Sequence, residues 1–309
     1  IADEETEIPE TNLTYKDLKD VTGKTVEELV EEQGDEKSII DIAKEVENKI
    51  KVAARECNVS VEGYVKELKK AEKYIFMEYF IIEEGIMFNS ILSILEEKVK
   101  QGVEVRIMYD DMGSLGTLPA SYAKQLEKKG IKAVSFNRIS PIINTIMNHR
   151  DHRKILVIDG KVAFSGGANL ADEYINKKVK YGHWMDNIIC VKGKAVWSYL
   201  IMFLTNWNAL RHEDEDYTVF KSEIIEDETL YDIAPYAETP LDQELTGQSV
   251  YEDLLNSANE YVYIMTPYLI IDSEMINTLI HTAKKGVDVR IIMPGIADKQ
   301  IVHDMGTTY

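Results

Sequence analysis

Cysteine is nearly missing from this chain: only Cys57 and Cys190 occur in 309 residues. They are far apart and lack metal-ligand spacing, which excludes a disulfide framework or a cysteine-based zinc site. Two unpaired thiols fit a reducing compartment. No run of eighteen apolar residues exists, so no segment reads as a membrane-spanning helix. No signal-peptide pattern opens the chain, which starts at Ile1 rather than Met, as a piece of a longer protein would. Positive charge is also scarce, 35 Lys and Arg against 54 Asp and Glu, a net charge of −19. That balance excludes a broad nucleic-acid face. The acidity sits in two blocks, about −9 over residues 1–60 and about −10 over 211–245. Both read as solvated, mobile polypeptide.

What is present is an alternation of helical and strand patterns. VEGYVKELKKA reads as an amphipathic helix and YIFMEYFII as a buried strand. A helix from about Asn89 leads through Gly102 to the strand VEVRIMYDD; helix SYAKQLEKKG and strand IKAVSF follow. Ile155 to Ser165 reads as a hairpin turning at Asp159-Gly160, and AVWSYLIMFLTNWNAL as a closing helix. The pattern then restarts. AEKYIFMEYFII has a counterpart in ANEYVYIMTPYLII, and KQGVEVRIMYDD in KKGVDVRIIMPG. Gly102 and Gly286 lie about 184 residues apart. The fold class expected is α/β, a mixed sheet flanked by helices, with one complete repeat and the first part of a second. Four segments follow: an unassigned acidic 1–60, a first domain at 61–210, an acidic linker or loop at 211–245, and an incomplete second domain at 246–309.

The chemistry concentrates in HRDHRKILVIDGKVAFSGGAN, residues 149–169. His152 and Lys154 are two apart on a strand, so their side chains leave on one face. A cationic pair at the mouth of a buried apolar strand requires an anion nearby. Lys154 suits the non-bridging oxygens of a phosphate, and His152 is a nucleophile or acid-base group near neutral pH. Small residues Gly166 and Gly167 let backbone amides approach an oxyanion, and Asn169 adds an amide donor. Composition leaves a second reading equally open, a basic rim that pairs with acidic neighbours.

HRKILVIDGKVAFSGGAN resembles the HxKxxxxD signature of the phospholipase D superfamily, with His152, Lys154 and Asp159 in its three positions and Gly166, Gly167 and Asn169 trailing. The FMEYFII, YDDMGS, NLADEY, TPY and GVDVRI segments are similar to bacterial cardiolipin synthases within it. The resemblance implies a phospholipase D-like fold and a covalent phosphohistidine on His152. It implies no cofactor and no metal. The reaction implied is phosphatidyl transfer between two phosphatidylglycerol molecules, giving cardiolipin and glycerol. The alternatives are a phospholipase D-type hydrolase, or an inactive fragment that binds anionic phosphate or a partner protein. The partners implied are phospholipid and a membrane surface, at the cytoplasmic face of a bacterial membrane, and no nucleic acid. A second copy of the motif would fall near about residue 336, beyond Tyr309. The chain is therefore expected to stop before it.

The remaining residues carry weaker signals. Asp159 is equally a hairpin residue. Glu78 lies in an apolar strand where a carboxylate needs a partner. The resemblance puts it at the site wall against the histidine; a structural ion pair with Arg153 or Arg150 is the other reading. Asp110 and Asp111 read as rim residues at a strand end. His149 is balanced between headgroup contact and a strand-end role. His183 and Asp186 are placed in a loop beside the pocket.

Overall fold

The computed structural model describes residues 61–139, 149–184, 186–223, 233–239 and 244–308. The acidic segment 1–60 lies outside them. The described residues fall into two units, one of which holds nearly all of 61–253.

That unit is a six-stranded mixed sheet, in the order β3-β2-β1-β4-β5-β6. Its strands are β1 (Tyr74–Tyr79), β2 (Glu104–Asp110), β3 (Lys132–Phe136), β4 (Lys154–Ile158), β5 (Val162–Gly166) and β6 (Ile188–Lys192). The first three run parallel. Strand β4 enters antiparallel to β1, and β5 and β6 continue antiparallel. Every residue of β1 and β4 is buried, the charged Glu78 and Lys154 included, as their largely apolar sequences imply.

The pleat divides the core in two. Ile75, Met77, Tyr79, Leu156 and Ile158 face helices α1 (Val61–Lys69), α2 (Ile86–Lys100) and α3 (Tyr122–Lys128). Phe76, Ile155 and Val157 face helix α4 (Val196–Arg211), whose Leu200, Phe203, Leu204 and Trp207 are fully buried. Helix α2 starts without a side-chain cap of its own. Asp172, from a 3-10 turn at Asp172–Ile175, accepts from Ile86 N and Met87 N at 2.9 and 2.8 Å and serves instead. At the other end of β4, Asp159 and Gly160 both take positive φ, 52° and 64°. Asp and Gly accept such values most readily, and they let Lys161 N donate to Ile158 O at 3.0 Å inside the three-residue loop between the paired Ile158 and Val162.

The start of the acidic stretch 211–245 is not a free linker. Glu215 grips the guanidinium of Arg106 through two bonds of 2.6 and 2.8 Å, while Glu104 takes Nε at 2.9 Å. Arg106 is 1% exposed, boxed by the rings of Phe76, Trp207 and Phe220 at 4.7, 5.2 and 5.1 Å. An arginine in the core needs counter-charges, and part of the acidic block provides one.

The second unit contains β7 (Tyr261–Met265), α6 (Ser273–Lys284), β8 (Asp288–Ile292) and α7 (Gln300–Gly306); α5 (Thr246–Ser257) precedes β7. Its two strands pair in parallel with Tyr261 opposite Asp288, just as Tyr74 stands opposite Glu104. The bond Asp288 N to Glu260 O, 3.0 Å, repeats Glu104 N to Lys73 O, 2.9 Å. The internal repeat read from the sequence is thus present as strand–helix–strand in the same register.

Removing the clasp on Arg106 tests this account of the acidic block. Glu215→Ala is expected to cost about 1–3 kcal/mol in chemical denaturation. It should also expose residues 213–222 to limited proteolysis.

Candidate active site

The site lies at the edge where β1 and β2 end, β4 begins and β5 ends. This is the edge at which parallel strands of α/β sheets present ligand-binding groups. Two residues of β1 and β4 set its geometry. Lys154 stands opposite Tyr79, on the face of α1, α2 and α3; Ile155 stands opposite Glu78, on the face of α4.

His152 and Lys154 come together on the first face. Lys154 Nζ lies 3.1 Å from His152 Nδ1 and donates to the His152 carbonyl at 2.6 Å. The imidazole is exposed, while Lys154 is 5% exposed. Both rest on Phe80: the two rings are 4.7 Å apart, and the ammonium is 5.5 Å from the Phe80 centroid. Burial brings the Lys154 pKa down to about 8, against the pull of Asp151 and Asp186. Burial conversely raises Asp186, although the Asn187 amide, Trp184 and Lys154 each favour its charged form. Phe80 is the site residue that motif reading left aside, while Asp186 is in the loop beside the pocket where the sequence placed it. An aromatic that ends a strand carries no signal of its own.

The glycines have a steric reason. A Cβ on Gly167 would fall 2.1 Å from Asp186 Oδ1, and one on Gly166 would fall 2.2 Å from Asn187 O. They make room for β6 and for the Asp186 carboxylate. The Gly167 amide donates to Asn187 O at 3.1 Å, so it is committed to the sheet and not to an oxyanion. Asn169, 3% exposed, accepts from Ile81 N at 2.9 Å and donates to the Tyr174 hydroxyl at 2.8 Å. It fastens the segment after β1, which carries Phe80 into place. His149 is exposed, and its carbonyl accepts from Asn137 at 2.8 Å.

Asp159 sits at the far end of β4, roughly 16 Å from the site by strand rise. Its carboxylate accepts from Glu72 N, Lys73 N and Tyr74 N, each at 2.8 Å. The third motif position thus anchors the entry to β1 and is not brought to His152.

Glu78 is on the opposite face from Lys154. It accepts from Asn206 of α4 at 2.9 Å and pairs with Arg153 at 3.6 Å. It is turned to the α4 face beside Arg153, not to the site wall against His152. Asp110 is fully buried and not on the rim: its carboxylate accepts from Met112 N, Gly113 N and Asp151 N at 2.9, 2.8 and 2.9 Å. Asp111 accepts from Ile139 N at 2.9 Å. Among the described residues no group of three His, Cys, Asp or Glu side chains is arranged to hold a metal ion. No helix among them is long and apolar enough to cross a membrane.

An exposed imidazole beside a buried ammonium, on an aromatic floor, can hold one anionic phosphoryl group and attack it or pass it a proton. Comparison with known proteins points the same way. The family model described as "Cardiolipin synthase, PLD-like domain" matches residues 64–200 and 251–309. The chain is 53% identical over 248 residues to an uncharacterized protein of Streptococcus mutans, covering 80% of this chain and 54% of that one. It is 34% identical over 244 residues to a cardiolipin synthase of Alkalihalophilus pseudofirmus, covering 78% of this chain and 48% of that one. The chain thus spans about half the length of the curated relatives it matches. Among solved structures, the phosphatidylserine synthase of Haemophilus influenzae shares the fold, with a TM-score of 0.54 and 14% identity over 80% of this chain and 66% of that one.

Two measurements follow from the geometry. A lysine with its pKa near 8 loses its charge between about pH 7 and 9, so phosphate capture by the free protein should weaken as pH rises through 8. kcat/KM should fall on that limb, and a bound phosphate anion should shift the kcat limb to higher pH. Asp159→Ala should instead release the amides of residues 72–74 to rapid hydrogen exchange. It should leave the alkaline limb unmoved.

Proposed function

The chain belongs to the phospholipase D-like domain family of cardiolipin synthases, and on that footing we propose that its site transfers a phosphatidyl group from one phosphatidylglycerol to another, releasing glycerol. The observation that carries this reading is the His152–Lys154 pair at 3.1 Å, with the ring exposed and the ammonium buried beside it.

The steps follow from the side chains. While Lys154 donates to Nδ1, the neutral ring keeps its proton on Nε2 and has no lone pair there. An arriving phosphodiester draws the ammonium to its non-bridging oxygens. Nδ1 is then free to carry the proton, with Asp186 supplying negative charge on that side, and Nε2 becomes nucleophilic. Nε2 attacks phosphorus, the bond to the glycerol oxygen breaks, and glycerol leaves with a proton. The hydroxyl of a second phosphatidylglycerol then attacks the phosphohistidine, gives up its proton and frees His152. A leaving alkoxide is too basic to depart unprotonated, so a second proton-handling group must stand opposite His152. The strand–helix–strand of the second unit belongs to the repeat expected to provide it. The substrate resides in a bilayer, so the working site is at a membrane surface.

The test uses the intact protein with phosphatidylglycerol vesicles and a chelator, scored for cardiolipin and glycerol. Cardiolipin is expected without added divalent metal. His152→Ala should abolish it, and Lys154→Ala should lower turnover by roughly 10²–10³. Phosphatidic acid with glycerol would mean that water is the acceptor. Normal turnover by His152→Ala would overturn the mechanism.

A further inference from the structure

His152 is flanked by Asp151 and Arg153, and both flanking backbone amides are capped by carboxylates. Asp110 accepts from Asp151 N at 2.9 Å, and Asp151 accepts from Arg153 N at 3.1 Å. The Arg153 guanidinium reaches the α4 face, 3.6 Å from Glu78, and the Asp151 carboxyl bonds the same Glu78. Glu78 is 0% exposed and accepts from Asn206.

Charge bookkeeping within this cluster is uneven. Three carboxylates, Glu78, Asp110 and Asp151, are buried beside two partly exposed guanidiniums. Arg153 is 3.6 Å from Glu78, and Arg150 is 3.4 Å from Asp110. Glu78 Oε2 and Asp151 Oδ2 are both buried and have no donor if both groups are ionised. The two side chains are nonetheless within hydrogen-bonding reach of each other. Two ionised carboxylates in contact repel; one proton between them turns that repulsion into a hydrogen bond. Burial first, and the neighbouring Asp151 charge second, raise Glu78 well above the usual carboxylate range; burial raises Asp151 too. The proton is assigned to Glu78, the more deeply buried of the two and without a backbone donor, whereas Asp151 accepts from Arg153 N.

We propose that Glu78, protonated and bonded to Asp151, is a positioning residue: with Asp110 it forms a brace behind β4 that sets where His152 stands. The proposal rests on the reading of His152 as the nucleophile. Glu78 touches no substrate. It holds Asp151, and Asp151 and Asp110 hold the backbone on both sides of the attacking ring. Arg153 and Asn206 face Glu78, Arg150 pairs with Asp110, and Lys154, on the other face of the sheet, is drawn electrostatically to Asp151.

A glutamine copies a protonated glutamate: it keeps an acceptor for Asn206 and a donor for Asp151. In the intact protein, Glu78→Gln should keep at least about half of kcat, whereas Glu78→Leu should lower kcat about a hundredfold with KM nearly unchanged, the cost of a nucleophile about 1 Å out of place. Infrared difference spectra of wild type against Glu78→Gln at neutral pH should show one protonated-carboxyl band, shifted in D2O, in the wild type only. Absence of that band overturns the proposal. So does a Glu78→Gln protein as slow as Glu78→Leu, or a Glu78→Leu protein with full kcat. If Glu78→Leu does not fold, the band and the glutamine variant still decide. A wild type that makes no cardiolipin would sink the transfer reading, while the band would still report on the brace.

Discussion

The pairing of β4 against β1 is the constraint on which the site depends. A strand presents alternate residues to opposite faces, and an antiparallel register joins those faces across two strands. With Tyr79 opposite Lys154 and Glu78 opposite Ile155, the sheet becomes a partition. The imidazole and the ammonium emerge on one side, and a carboxyl cluster is sealed on the other. A slip of one residue would exchange these contents, putting the ammonium among the aromatics of α4. The apolar runs of β1 and β4 make such a slip costly, because each face of each strand is already packed.

At the opposite end, Asp159 secures the same register by other means. Three backbone donors entering β1 converge on its carboxylate, so the start of β1 is tied to the end of β4. A motif that reads as one chemical unit in the sequence is therefore two devices in space. Its first two positions carry reactive groups, and its third keeps the strand pair aligned.

Much of this was legible beforehand. The spacing of His152 and Lys154 implies a shared face, and Asp159-Gly160 implies a tight turn with two positive φ values. The repeated GV[ED]VRI pattern implies two equivalent strand–helix–strand units. Other features depend on partners distant in sequence. Glu78, Asp110 and Asp151 carry no spacing that announces their convergence, because each comes from a different element. Glu215 sits in a stretch whose composition reads as solvent-loving, and only the buried Arg106 explains its place. Gly166 and Gly167 look like oxyanion-binding residues from type alone. Their role in admitting Asp186 and β6 is visible only with both strands present.

The two strand–helix–strand units differ in one respect: α2 has 15 residues and α6 has 12. The difference is close to one helical turn of about 3.6 residues. Losing a single residue would rotate everything beyond it by about 100° and turn polar side chains toward the sheet. Losing nearly a whole turn shortens the helix while leaving the same stripe inward. The strand register on either side survives unchanged. The crossover thus tolerates length changes in steps of a turn, and its screw symmetry acts as a filter on which insertions and deletions the fold accepts.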